Sequence, residues 1–175
     1  MRQLNNRFSI YVLSLFWVGM FSLILSSCNQ DEVKPEVCKD GKCDFEIMTD
    51  SEIFILEDSA ITEFDIVNGD NLVFQYQYQS NDNKRIADDE YLERIFFEIH
   101  ADSSSFSFSD AELIDLNAVF QRSCFCPGPF WVRIESGLIT GTKQDDGEWK
   151  IDADLSIEID GNTIERDFSK TFKDE

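Results

Sequence analysis

Histidine is almost missing from this chain: His100 is the only one. One imidazole cannot build a multi-histidine metal centre, and a histidine-based triad would have to use this residue. His100 ends an apolar alternating run beside Ala101-Asp102-Ser103, which reads as an ordinary surface position. Basic residues are also scarce, 15 Lys and Arg against 35 Asp and Glu, for a net charge of −20. Such a surface repels phosphate polymers and anionic headgroups, so nucleic acid is not an expected partner. Divalent cations and basic proteins are the partners that this charge favours. Gly-x-Ser-x-Gly, the phosphate loop, His-Glu-x-x-His and Cys-x-x-Cys are all absent, which removes the common signatures of hydrolases, nucleotide enzymes, zinc proteases and dithiol oxidoreductases. Paired carboxylates could cleave glycosides, but among 35 acids some pair always qualifies. Proline is rare, three residues against sixteen phenylalanines, which suits a packed, aromatic-rich interior. No internal repeat is present.

Acids are absent before Asp31 as well. Arg2 and Arg7 precede an apolar run from Phe8 to Leu25, the pattern of a secretory signal that is cleaved and takes no part in the fold. About 18 apolar residues can also just span a bilayer. The end of the run favours the signal. Leu25-Ser26-Ser27-Cys28 resembles the lipobox of bacterial lipoproteins: an aliphatic residue, two small residues, then a cysteine. That resemblance implies cleavage before Cys28 and acylation of its thiol, with the lipid as the membrane partner. Two or more acyl chains anchor stably where one does not, at about 0.8 kcal/mol per buried methylene. Asn29-Gln30-Asp31-Glu32 follows. Gln30, Asp31 and Glu32 resemble a surface-export signal of lipoproteins in one group of Gram-negative bacteria, which implies the outer face of the outer membrane.

Residues 28–37 read as an acidic tether, which reaches at most about 33–36 Å. Residues 38–175 read as one domain, long enough to bury a real core. Loss of the two signal arginines leaves 13 basic against 35 acidic side chains, a net −22.

Four cysteines remain: Cys38, Cys43, Cys124 and Cys126. An even number in an exported domain favours disulfides. Cys38 with Cys43 closes a turn over Lys39-Asp40-Gly41-Lys42 and leaves Cys124 with Cys126. Crossed pairing instead closes two long loops. A four-thiolate zinc site fits these spacings poorly. Gln121-Arg122-Ser123-Cys124-Phe125-Cys126-Pro127 resembles an Arg-Ser-Cys-Phe-Cys-Pro segment that marks a family of uncharacterised exported bacterial proteins. The likeness covers about 25 residues and implies no activity.

From Cys43 onward the chain alternates with period two, the mark of half-buried strands. Strands are expected at Phe45–Met48, Glu52–Leu56, Ala60–Val67, Leu72–Gln79, Tyr91–His100, Ser103–Phe108, Ala118–Phe125, Phe130–Glu135, Leu138–Lys143 and Trp149–Ile159. A last strand carries Ile164, Phe168 and Phe172 and is polar enough for an edge. Asn68-Gly69-Asp70-Asn71 would turn one strand into a hairpin with the next, and Ser136-Gly137 another. Ser109-Asp110-Ala111-Glu112 has the capping-box pattern, so one short helical turn is expected. The fold class is all-β: an antiparallel sandwich of about 8–9 strands with one wet face, or a small barrel.

Further candidates are weaker. Asp58-Ser59-Ala60 resembles a bacterial O-glycosylation site at Ser59. Acidic loops at Asn68–Asn71, Asn81–Asn83 with Asp88–Glu90, and Asp145-Asp146 could offer oxygens to calcium, though none has the spacing of a known calcium loop. Otherwise no cofactor or metal is expected. Tyr76, Tyr78, Phe130, Trp131 and Trp149 could form an aromatic platform for a ligand, but at period two they read more simply as core. Trp131, flanked by Phe130 and Val132, must be exposed or meet a second layer. The expected protein is a monomeric, lipid-anchored, non-enzymatic binding or structural module that could take a glycan or protein ligand. The competing class is an exported redox or hydrolytic enzyme using Cys124 and Cys126, or cleft carboxylates.

Overall fold

Apolar–polar alternation makes strands of nearly every described segment. The computed structural model describes residues 38, 40–57, 62–81, 91–125 and 130–174. Among them run ten strands: β1 (Gly41–Glu57), β2 (Thr62–Asn68), β3 (Asn71–Ser80), β4 (Leu92–His100), β5 (Ser105–Ser109), β6 (Val119–Ser123), β7 (Trp131–Arg133), β8 (Gly137–Lys143), β9 (Trp149–Ile159) and β10 (Asn162–Asp174). One 3-10 helix, Asp110–Leu116, lies between β5 and β6. Its start is fixed by Glu112, whose carboxylate accepts from both the backbone N–H and the hydroxyl of Ser109.

The strands form one open sheet in the order β5-β8-β9-β10-β1-β3-β4-β6-β7, with β2 added to β1. The sheet does not close into a barrel. All pairings are antiparallel except a short parallel contact, where Glu46 and Ile47 of β1 meet Lys173 and Asp174 of β10. On either side of that seam the two halves pack face to face around one core. Phe74 of β3 meets Trp149 of β9 and Phe172 of β10 edge-on, each with centroids 5.6 Å apart. Tyr76 stacks on Phe168 at 4.9 Å. Burying each such ring removes a large apolar surface from water, worth about 1.5–3 kcal/mol per side chain. The alternation in β9 is complete: Trp149, Ile151, Ala153, Leu155, Ile157 and Ile159 are buried, and the residues between them face outward.

Several expected pairings are replaced. The two short strands expected at Phe45–Met48 and Glu52–Leu56 are one long strand, β1, interrupted by a register shift between Met48 and Ser51. Asp50 sits there at φ 50°, a left-handed conformation that Asp tolerates better than bulkier residues do. Before the kink β1 pairs with β3; beyond it β1 pairs with β2. The expected β2–β3 hairpin is therefore not formed, because β1 takes both strands as partners. Phe130–Glu135 and Leu138–Lys143 also form no hairpin: β7 pairs with β6, while β8 crosses to β5 and β9. Gly137 makes the crossing with φ 121°, and a Cβ there would lie 2.3 Å from the carbonyl oxygen of Asp154. Only glycine fits so close an approach at that φ. The last strand is not an edge, since β10 pairs with β9 along its length and joins β1 at its end.

A third layer was not foreseen. The far half of β1 and β2 fold over the outer face of β3, β4 and β6. There Ile53, Val73, Phe96 and Val119 are buried, with Met48, Ile55, Phe64, Ile66 and Trp131 packed against them. The sheet expected to be wet on one side is thus covered on both faces at its centre.

Candidate functional site

Two features combine charge with shelter from water: a buried ion pair at one end of the core and a groove along the β7 edge.

The ion pair begins with Glu93, on the core-facing side of β4 yet 1% exposed. Burying a lone carboxylate is costly unless it is paired and hydrogen-bonded. Arg166 of β10 satisfies it from the opposite half of the sheet, with Nη2 donating to Oε2 at 2.7 Å and Nε donating to Oε1. The Tyr91 hydroxyl donates to Oε2 at 2.8 Å. Burial pushes the Tyr91 hydroxyl up to about 12, helped by the charge of Glu93 and the hydrogen bond to it. Burial, then Glu93, also raises Tyr76. Burial alone would pull Arg166 down, but the hydrogen bonds and charge of Glu93 outweigh it and hold Arg166 above its ordinary value. The Tyr76 hydroxyl lies 3.9 Å from the Cys43 sulfur. The second buried carboxylate, Glu98, faces the outer layer. It accepts from the Ile53 N–H at 2.6 Å and from Asn117 Nδ2 at 2.7 Å. Each of these carboxylates is fully engaged and closed off, an arrangement that cross-links layers.

The groove is open. It has a volume of about 590 Å³ and is lined by Glu57, Trp131, Val132, Arg133, Glu135, Ser136, Ser156 and Glu158. β7 forms one side. Arg122 N–H donates to Phe130 O at 2.7 Å, and Ile134 N–H to Ala118 O at 2.9 Å. In antiparallel pairing this register turns the N–H and C=O groups of Trp131 and Arg133 away from β6. Among the described residues β7 ends the strand order, so those four groups lie on the side of β7 away from β6. Arg133 Nε donates to Glu57 Oε1 at 2.6 Å. Ser156 and the exposed Glu158 stand on β9, and exposed Glu135 lies in the crossover between β7 and β8. With Arg133 answered by Glu57, the other two carboxylates leave the groove net negative.

Trp131 meets the second layer expected of it, 5.9 Å from Phe64. Tyr76 and Trp149 are core, as their spacing implies. Phe130 corrects the same reading, since it is 68% exposed. It starts a strand too short to carry it inward. The groove itself was not legible, because β7 and β9 are brought together only by the crossover at Gly137.

Cys38 and Cys43 form a disulfide, which rules out the crossed pairing and a four-thiolate site. Cys124 is disulfide-bonded too, while Cys126 lies outside the described residues. So do Cys28, Gln30, Asp31, Glu32 and Ser59. His100 is exposed at the end of β4, beside Asp102. Among the described residues no three His, Cys, Asp or Glu side chains gather as metal ligands, and no helix is long and apolar enough to cross a membrane. No family model matches the chain, and neither the curated proteins nor the solved structures contain a match to it.

Proposed function

We propose that this chain is a lipid-anchored binding module of the bacterial cell envelope, held at the outer face of the outer membrane and without catalytic activity. The observation that carries the reading is Leu25-Ser26-Ser27-Cys28 at the end of an apolar run, with Gln30-Asp31-Glu32 directly after it. Cys28 takes the lipid, and a tether of about ten residues keeps the domain close to its membrane. The ligand site is the groove along β7. It offers backbone donors and acceptors that β6 leaves unpaired, an indole and carboxylates, the mixture of apolar surface with a few placed polar groups that binding sites use. The engagement of both buried carboxylates supports the non-catalytic reading, because a general acid must be free to exchange its proton with a substrate.

Protease added to intact cells tests the location. The domain should be degraded in cells that remain sealed, and replacing Asp31 and Glu32 with Ala should protect it. A domain that stays protected in the wild type, or stays accessible in the variant, contradicts surface export through that signal.

A further inference from the structure

We infer that the β7 edge binds an extended, basic peptide segment of a partner protein, which adds as one more strand; this rests on the binding-module reading and specifies its ligand.

Three observations converge. The first is the row of backbone groups. Trp131 and Arg133 turn both their N–H and C=O groups to the open side, and an extended chain laid there would make up to four main-chain hydrogen bonds. Strand addition to a free sheet edge is a recurring mode of peptide recognition. The second is the groove, which gives that edge a place for side chains. A strand's side chains alternate between its two faces. One set would lie on the face of Val132 and exposed Phe130, opposite Trp131, which suits apolar residues. The other set would face Glu135 and Glu158, which suits Lys or Arg. Apolar and basic residues at alternate positions are therefore the pattern that fits.

The third observation is charge, which selects among occupants. The chain's own tether, residues 28–37, carries Asp31, Glu32 and Glu36 against one lysine, Lys34. It would set acids against acids. A second copy brings the same carboxylates and a net −22 mature chain to the interface, so edge-to-edge self-pairing is opposed. A basic partner is drawn in by the same field. With only three residues, β7 is a short edge, and short edges guard against unspecific sheet extension. Recognition then depends on the side-chain walls as well as on the backbone.

The test uses the full chain, extracted from envelopes in detergent, and synthetic peptides of about nine residues, a usual strand length. One peptide alternates Lys with Val, one alternates Asp with Val, and a third is the Lys peptide with alternate amides N-methylated. The Lys peptide should bind and slow hydrogen exchange at the Trp131 and Arg133 amides. The Asp and N-methylated peptides should not bind. Glu135→Gln with Glu158→Gln should weaken the Lys peptide about tenfold at low salt, from two exposed charge contacts. Arg133→Pro should abolish binding by removing an outward N–H while leaving the bonds to β6. The N-methylated peptide keeps the test decisive if that variant misfolds. Equal binding of the Asp or N-methylated peptide overturns the proposal. So does absence of Lys-peptide binding, or protection of the same amides by self-association alone. If the Lys peptide fails while a glycan stabilises the fold, strand addition falls and the binding-module reading survives.

Discussion

Arg166 of β10 grips Glu93 of β4 through two hydrogen bonds, and this pair is a buried charged tie between the two halves of the sheet. Hydrophobic packing brings the halves together without direction. A bidentate guanidinium–carboxylate pair has a required geometry, so it also favours one alignment of β10 against β4. Removing one partner leaves a buried charge unanswered. Glu93→Ala or Arg166→Ala should each cost about 3 kcal/mol, the lower end of the range for buried pairs because Arg166 reaches solvent. The double variant Glu93→Leu with Arg166→Met should cost less than the sum of the singles. Denaturant unfolding of the four proteins reads this coupling directly.

The same cluster sets a limit at high pH. The Tyr91 hydroxyl is pushed up to about 12 in the folded protein, and Tyr76 is raised as well, against an ordinary value near 10. The unfolded chain therefore releases these protons first, and deprotonation favours unfolding. Stability attributable to Tyr91 should be intact below about pH 10 and be lost as the pH rises towards 12. Tyr91→Phe should flatten that decline. Urea unfolding between pH 8 and 11.5, with tyrosinate absorbance as the second readout, checks it.

Glu98 should hold the third layer in place. Its carboxylate answers the Ile53 N–H on the free side of β1 and the Asn117 amide together. Glu98→Ala leaves a buried donor without a partner, at about 1–3 kcal/mol. The loss should be local before it is global. Hydrogen exchange should speed up at Ile53 and along β2, while β9 and β10 stay protected.

Reducing the Cys38–Cys43 disulfide should have a modest effect. The loop encloses only Lys39 to Lys42, so the chain-entropy model gives about 2 kcal/mol. Cys38→Ser with Cys43→Ser should lower the melting temperature by about 4–8 °C. It should leave the near-ultraviolet spectrum of the aromatic core unchanged.

Much of the fold was legible in the sequence, and the failures have particular causes. β9 could be read residue by residue because one of its faces is dry and the other wet. The β9–β10 hairpin was legible in Asp160-Gly161, which sit at φ 53° and 71°, as a two-residue turn requires. The third layer was missed although its trace is present. Ile95-Phe96-Phe97 in β4 and Ala118-Val119-Phe120 at β6 interrupt the alternation with adjacent apolar residues, and all six are buried. Such triplets belong to strands covered on both faces. Pairing was harder still. Alternation gives the face of a side chain but not the neighbour of its strand, so nothing local showed that β1 would take both β2 and β3. The groove depends on that non-local pairing, and backbone groups turned away from β6 have no signature in side-chain identity. Cys28 is the opposite case: all the information about it is local.

The most direct measurement is the intact mass of the protein extracted from bacterial envelopes, with its N-terminal peptide sequenced. Residues 1–27 should be absent, and the first residue should be Cys28 carrying acyl chains; Cys28→Ala should abolish both cleavage and lipid. A chain that keeps Met1, or that begins at residue 28 with an unmodified thiol, would contradict the lipid anchor on which the proposed function stands.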